Sequence, residues 1–391
     1  MASSLILVAN PGSASRKYGL YDGRHERAQL HFEWLQGKIV CTLHRHGEQH
    51  VLRVDINDLS AATAQVVTIF KANGVLQEDE HISRIGLRIV APSAYFLEDH
   101  VVDDDFVARL DATKVRAPIH VAATLEELHM LREQFHDAAI VGVSDSAFHS
   151  TKPDYAWNYG ISLEVADHFE IKRFGYHGLS VASVVKELQA AEKLPLKLIV
   201  CHLGSGASVT AVQGGKSIDN TMGYSPLEGV VMSTRSGSID STAVRALKDV
   251  CRFDDNAIDD YLNNHSGLLG LGGSSDIREL LRREGDGDNR ARLALATYVY
   301  SVQKAIGQMV AVLGGMDALV FTGTVGERSA AVRERVMARM HYLDAILDDN
   351  TNQGCEAPEK LTVISRLAHS KPVFVAPTQE AVEIARRSQL L

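Results

Sequence analysis

Polar side chains gather at a few points of this 391-residue sequence, each where an apolar run gives way to a turn. They are NPGSASRK (residues 10–17), Arg88, His120, Asp145 in VSDSAFH, His177 in FGYHG and HLGSGAS (202–208). Further along come Arg235 in STRSGSID, Asp276 and Arg278 in SSDIR, Glu327, and Glu380 in PTQEA. Strand ends and turns are where binding and catalytic groups usually sit. Two of the stretches share a pattern: VANPGSASRKYGLYDG and CHLGSGASVTAVQGG each read as strand, Gly-Ser turn, second strand. Strand-turn-strand is common enough to recur by chance, but a real repeat means a duplicated domain with one Gly-Ser hairpin in each half. Clustered turn N–H groups and hydroxyls bind anions, phosphate above all. A third stretch, FTGTVGERS (321–329), joins the strand-like DALVF to the helical AAVRERVMARM, a common place to hold a nucleotide. It puts Thr324 and Val325 in the middle of the turn and Arg328 near the helix start.

The elements that must position these groups follow from hydrophobic periodicity. LILVAN reads as a buried strand and KYGLYDG as its return, with KIVCTLHRHG and HVLRVDI as further strands. A helix fits DLSAATAQVVTIFKANG, ending at Gly74. Strand RIGLRIV, helix HVAATLEELHMLREQF and strand AIVGVSD complete the first half. The second half begins with strand KLIVCHLG and the hairpin SVTAVQGGKSIDN, turning at Gly214-Gly215. Helices are predicted in the regions 241–264 and 290–313, then strands ALVFTG, LTVIS and KPVFVAP and a last helix, QEAVEIARRSQ.

The bulk properties narrow the function. A chain of 391 residues exceeds one typical core, so two domains are expected. Apolar residues at 45% and charged residues at 23% are ordinary for a globular enzyme. A net charge of -9 argues against nucleic-acid binding. SLILVAN is too short for a signal peptide, and no apolar run approaches the roughly 20 residues that span a bilayer. Cys41, Cys201, Cys251 and Cys355 form no CxxC pair, which fits reduced thiols in a cytoplasm better than disulfides or zinc. His44, His46 and His50 sit in a polar hairpin and read as solvated.

Taken in order, NPGSAS, the arginine of LRIV, APIH, VSDSAFHSTKPDYA, RFGYHGLS, CHLGSGASV, KSIDNTMGYSPLEGVVMSTRSGSID, GLLGLGGSSDIR, VFTGTVGERS and PTQEAVEIA resemble the motifs of the acetate kinase (acetokinase) family, which includes propionate and butyrate kinases. The resemblance implies an α/β fold of the duplicated, actin-like and sugar-kinase-like kind, two domains with a central cleft. It implies a discontinuous N-terminal domain, 1–148 plus 378–391, and a C-terminal nucleotide-binding domain, 149–377. It also implies a cytoplasmic homodimer acting on a nucleotide, ATP with Mg2+, and a short-chain carboxylate, with no nucleic-acid or membrane partner.

The same resemblance assigns roles. Arg88 would grip the acyl carboxylate and Arg235 the transferring phosphoryl group. A carboxylate is already a nucleophile at neutral pH, so the difficulty is bringing it to an anionic phosphoryl group, which two guanidiniums ease. Asp145 would orient the magnesium shell or the carboxylate; Glu380, with Asn10, would serve the metal. His177 would donate to the phosphoryl group and His120 near the carboxylate. Asn10, Ser13, Ser15 and Lys17 would line one phosphate turn, and His202, Ser205, Gly206 and Ser208 its partner. Val90, Ile119, Tyr176 and Pro226 would wall the acyl pocket. Asp276, Ile277, Arg278, Thr324, Val325 and Arg328 would face the nucleotide. Each has a plainer alternative: an ion pair for the arginines, turn formation for the serines, charge compensation of a helix N-terminus for Glu380, and a capped helix start at GGSSDIR with Ser274 or Ser275 as cap.

The chain also departs from the family pattern. Ser205 replaces an asparagine, Ser238 an acid, and Ala91-Pro92-Ser93 a His-Gly-Gly, while Tyr176 stands where phenylalanine is usual. Where the family reads A-G-I-G-E-N-S, this chain reads G-T-V-G-E-R-S. Three readings follow: Gly323 shifts the turn by one residue and keeps an ATP site, Arg328 stacks on the base or binds a phosphate, or the donor is smaller, pyrophosphate or phosphate. A catalytically weak sensor of acyl phosphate or nucleotide is the rival from another functional class.

Overall fold

The computed structural model describes residues 5–12, 15–35, 37–114, 116–366 and 368–391. The chain divides into two compact units, residues 1–147 with 379–391 and residues 148–378.

Unit 1 is built on β1 (Leu5–Pro11), β2 (Ser15–Asp22), β3 (His25–Leu35), β4 (Lys38–Arg45), β5 (Glu48–Leu52), β6 (Ile82–Ile89), β7 (His100–Val101) and β8 (Ala139–Ser144). Their order is β5-β4-β3-β2-β1-β6-β8-β7. β1 to β5 form an antiparallel meander, and β6 joins β1 and β8 in parallel. The run Leu5–Ala9 is buried on both faces, as a strand flanked by layers on each side requires. On one face Val66 and Phe70 of the helix Ala62–Ala72 and Val121, Leu128 and Leu131 of the helix Pro118–Gln134 enter the core. The helix Glu380–Ser388 packs on β6. A Cβ at Gly86 would stand 2.6 Å from Ile384 Cγ2, so the glycine lets strand and helix approach. Arg84 Nη1 donates to the Ser388 carbonyl at 2.7 Å and Arg387 pairs with Asp99, fastening the helix at its far end.

Unit 2 contains β9 (Lys197–Leu203), β10 (Ala207–Gln213), β11 (Lys216–Asn220), β12 (Ala318–Thr322), β13 (Thr362–Val363) and β14 (Val373–Val375), ordered β11-β10-β9-β12-β14-β13. Gly214 and Gly215 both take positive φ, the geometry a two-residue hairpin needs. The helix Asn289–Leu313 is capped by Asp288 and stopped by Gly314 at φ 63°. No described helix is long and apolar enough to cross a membrane.

The internal repeat is visible in the topology. β3-β2-β1-β6-β8 of unit 1 and β11-β10-β9-β12-β14 of unit 2 have the same order and the same senses: an antiparallel meander followed by two parallel strands. Each Gly-Ser turn links the first two strands of its meander.

Some elements were not foreseen, and one stretch needs correcting. β3 was not foreseen; Ala28, Leu30 and Phe32 point inward, but the charged and polar residues between them mask the run. The helices Asp104–Ala112 and Gly178–Ala190 were likewise unforeseen. The helices predicted in the region 241–264 are Ser241–Cys251 and Asp255–Asn264, separated at Arg252, whose φ of 57° cannot continue a helix. FTGTVGERS is not an open loop: Gly323–Arg328 is a short helix.

Because Gly86 holds the terminal helix against β6, Gly86→Ala should destabilise the protein by about 1–3 kcal/mol. Thermal denaturation checks this; an unchanged transition would mean that the helix does not need that contact.

Candidate active site

In parallel sheets, functional groups collect beyond the carboxyl ends of the strands. Asn10, Arg88 and Asp145 lie at that end of the adjacent strands β1, β6 and β8. Arg88 Nη1 donates to Asn10 Oδ1 at 3.3 Å and Nη2 to Asp145 Oδ2 at 3.0 Å. Asp145 is 1% exposed, and its N–H is held by the Ile89 carbonyl at 2.9 Å. Glu380, first residue of the terminal helix, places Oε2 3.9 Å from Arg88 Nη1. Burial works against the Arg88 charge, but the Asp145 and Glu380 carboxylates outweigh it and hold the guanidinium above its already high range. Arg88 Nε is buried with no hydrogen-bond partner among the described residues. A charged group with an unanswered donor suits an incoming oxygen anion. Asn10, Asp145 and Glu380 together offer hard oxygen atoms of the kind magnesium takes, and magnesium needs only one or two protein carboxylates. Among the described residues, no group of three or more His, Cys, Asp or Glu side chains gathers as a metal cage.

In unit 2 the backbone does most of the positioning. His177 has φ 59° and ψ 23°, a left-handed conformation at the threshold of the helix Gly178–Ala190. The preceding carbonyl, of Tyr176, accepts from Asn220 Nδ2 at 3.2 Å and from His149 Nε2 at 2.9 Å. A carbonyl only accepts, so His149 carries its proton on Nε2, and its Nδ1 accepts from Ser217 Oγ at 2.8 Å. His177 is tethered through Nδ1 to Ser208 Oγ at 2.9 Å, and His202 through Nδ1 to Ser180 Oγ at 2.8 Å. The two rings stack with centroids 4.1 Å apart. A Cβ at Gly206 would lie 3.2 Å from His177 Nε2, so this glycine gives the ring room, and it would be in ordinary contact with Arg235 Nη1 at 3.5 Å. Arg235 Nη1 donates to the Pro226 carbonyl at 3.3 Å, while Ser233 N–H donates to the Ser205 carbonyl at 3.1 Å. The HLGSGAS hairpin and the STRSG segment thus meet.

The FTGTVGERS segment starts from one residue. Gly323 has φ 78°, and a Cβ there would fall 2.7 Å from the Leu203 carbonyl oxygen. Its N–H donates to Thr378 Oγ1 at 2.9 Å, and the Thr378 N–H donates to Glu327 Oε1 at 2.9 Å. Thr324 and Arg328 are exposed and Val325 half-buried. The residue of this turn that must lack a Cβ is therefore Gly323, and the Thr324 side chain is exposed.

The model of the acetokinase family matches residues 5–386. The chain belongs to the acetokinase family. It is similar to the acetate kinase of Caldicellulosiruptor bescii, 34% identical over 99% of both chains, and to that of Acetivibrio thermocellus, 35% identical over 98% of both. Among solved structures it resembles a propionate kinase from Francisella tularensis, with TM-score 0.90, 30% identity and coverage of 99% of this chain and 100% of the other. It also resembles an acetate kinase from Porphyromonas gingivalis, with TM-score 0.87 and 31% identity over 99% of both chains.

In this acetokinase, the structure gathers Asn10, Arg88, Asp145 and Glu380 in unit 1 and His177, His202, Gly206, Ser208, Pro226 and Arg235 in unit 2. Val90 follows β6 directly and is half-buried; Ser15 and Lys17 open β2, with Lys17 exposed. Ile119 and His120 fall in the first turn of the helix Pro118–Gln134, their side chains outside the described residues, as is Ser13 altogether. Tyr176 is 1% exposed, and its hydroxyl, unexplained in the sequence, donates to the Tyr224 carbonyl at 2.8 Å. The helix cap at GGSSDIR is Asp276, not Ser274 or Ser275: its Oδ1 accepts from Arg278 N–H at 2.9 Å, and Arg278 Nη2 pairs with its Oδ2 at 2.7 Å. Hydrogen bonds from the exposed Arg278 hold the Asp276 carboxyl below its usual range. Ile277 is buried behind this pair. Ser238 Oγ accepts from Gly229 N–H at 3.1 Å, closing the segment that carries Arg235.

Four positioning residues escaped the sequence reading: His149, Asn220, Thr378 and Arg333. Arg333 is fully buried and donates to the carbonyls of Gly326, Glu327, Asn352 and Cys355. In AAVRERVMARM it looks like one more surface charge, and nothing local marks it. His149 lies inside the quoted VSDSAFH, where the eye goes to the aspartate. Gly323→Ala adds both a strained φ and a backbone clash, each on the order of 1–3 kcal/mol, so it should weaken nucleotide binding at least tenfold. Calorimetric titration with ADP checks this; undiminished affinity would detach the Gly323 turn from the nucleotide.

Proposed function

We propose that this acetokinase transfers a phosphoryl group between ATP, taken with Mg2+, and a short-chain carboxylate, acetate or propionate, giving acyl phosphate, and runs the reverse reaction. The observation that carries the reading is Arg88: a half-buried guanidinium with an unanswered donor at its buried Nε, beside two carboxylates and an amide oxygen at the strand ends. The names of its relatives, acetate kinase and propionate kinase, support the same chemistry.

Arg88 holds the substrate carboxylate, with Val90, Ile119, Tyr176 and Pro226 around its aliphatic tail and His120 as a second donor. Such a pocket discriminates each methylene by about 1–3 kcal/mol, so acetate and propionate both serve. A carboxylate oxygen attacks the terminal phosphorus, the bond from that phosphorus to the bridging oxygen breaks, and ADP leaves with the electron pair. Arg235 and His177 donate to the equatorial oxygens during transfer. Asn10, Ser13, Ser15 and Lys17 of unit 1, and His202, Ser205, Gly206 and Ser208 of unit 2, bind phosphates. Asp276, Ile277, Arg278, Thr324, Val325 and Arg328 serve the nucleoside side. Asn10 and Glu380, with Asp145, would hold magnesium, which when bound offsets phosphate charge. Gly323 supports ATP as the donor, because the turn's tight approach to the Leu203 carbonyl falls on a glycine while Thr324 stays exposed. A cytoplasmic homodimer completes the reading.

Acyl-phosphate formation from acetate and propionate, measured with ATP, GTP and pyrophosphate, tests it. Turnover is expected with ATP; turnover with pyrophosphate alone would overturn the donor. Arg88→Ala and Arg235→Ala should each lower kcat/KM by at least about 10²–10³ in folded protein. Ligand binding without arginine-dependent turnover would point to a sensor. Chelation should abolish turnover and added Mg2+ restore it; activity that survives chelation would remove the metal from the scheme.

A further inference from the structure

Strand β2 turns Arg16 and Tyr18 inward and Lys17 outward. The inward face meets a buried polar network that plays no part in the transfer chemistry. Glu127, on the helix Pro118–Gln134, is 1% exposed. Its Oε2 accepts from Tyr18 Oη at 3.0 Å and lies 3.4 Å from Arg16 Nε, while its Oε1 accepts from Thr63 Oγ1 at 3.1 Å. Arg16 is 4% exposed; its Nη2 pairs with Glu126 Oε2 at 3.1 Å, and its Nη1 donates to the Gly12 carbonyl. Gly12 N–H in turn donates to the Ser15 carbonyl at 2.8 Å. Asn10, two residues earlier, is in register with Lys17 and accepts from Arg88.

Burying an arginine and a glutamate is no cheap way to stabilise a sheet; an apolar pair of the same volume serves as well or better. What this pair does, and an apolar pair could not, is reach from the helix to the carbonyl of Gly12. We propose that Glu127 is a positioning residue for phosphate binding: acting through Arg16, it fixes Gly12 and Ser15 and so the strand ends that carry Asn10 and Lys17. The proposal rests on the reading of this turn as a phosphate site. It is also pH-sensitive. Burial pushes the Glu127 carboxyl up to about 7, against the opposing pull of Arg16 and hydrogen bonds from Tyr18 and Thr63, with Glu126 adding to the rise. Protonation below that point removes the buried one of the two carboxylates that orient Arg16 and leaves only Glu126, so nucleotide binding should weaken as pH falls from 8 to 6.

The test is calorimetric binding of ADP with Mg2+ to the full chain and its variants Glu127→Ala, Glu127→Gln, Arg16→Ala and the Arg16→Ala/Glu127→Ala double, with the acetate KM measured beside it. Each single alanine variant should weaken ADP about tenfold at pH 8. The double should be no weaker than either single, because both act through one contact, and the acetate KM should stay within about twofold. Glu127→Gln keeps the shape and one acceptor oxygen without the charge, and serves if the alanine variants do not fold. It should bind ADP more weakly than wild type at pH 8 and equally at pH 6. A folded Glu127→Ala with wild-type affinity, or a Glu127→Gln curve that tracks wild type across pH, would overturn the proposal alone. A wild-type protein that binds no ADP would overturn the functional reading and the proposal with it.

Discussion

A guanidinium keeps its charge at any pH a cell reaches, so Arg88 at the end of a buried strand obliges the fold to bring carboxylates to it. Neither is a sequence neighbour. Asp145 arrives because β8 lies parallel to β6, and Glu380 because the chain, after completing unit 2, adds its last helix to unit 1. The discontinuity of unit 1 follows from this demand as much as from apolar packing. Gly86 exists to let the helix come close, and Arg84 and Arg387 secure it once it has.

The two units share a topology but anchor their hairpins by different means. In unit 1 the Gly-Ser turn is tied from behind by charge, through Arg16 to Glu126 and Glu127. In unit 2 the equivalent hairpin is tied by neutral contacts: serine hydroxyls on histidine rings and close backbone approaches at Gly206 and Gly323. Charged ties respond to pH and salt, whereas steric ones do not. A duplicated fold therefore does not imply duplicated behaviour.

Much of this was legible in the residues. Strands such as LILVA and KLIVCHL announce themselves because they are buried on both faces, and the repeat of strand, Gly-Ser turn and strand reflected a real duplication of topology. What escaped did so for physical reasons. β3 is half-exposed, so its inward Ala28, Leu30 and Phe32 are diluted by charge. Arg333 reads as surface until its burial is seen, and His149 acts on a carbonyl rather than on any side chain with a signature of its own. At FTGTVGERS the glycine expected in the middle of the turn is Gly323 at its start, since a single backbone carbonyl, that of Leu203, decides which residue must lack a Cβ.

The return of residues 379–391 to unit 1 also orders events during synthesis. Unit 2 is continuous, residues 148–378, so every contact it needs has left the ribosome before the terminal helix has. Unit 1 begins first and finishes last: until residues 379–391 emerge, Gly86 faces no helix and Arg88 has one carboxylate instead of two. However early its first strands emerge, unit 1 therefore waits for residues 379–391, contrary to the usual sequence in which N-terminal domains fold first.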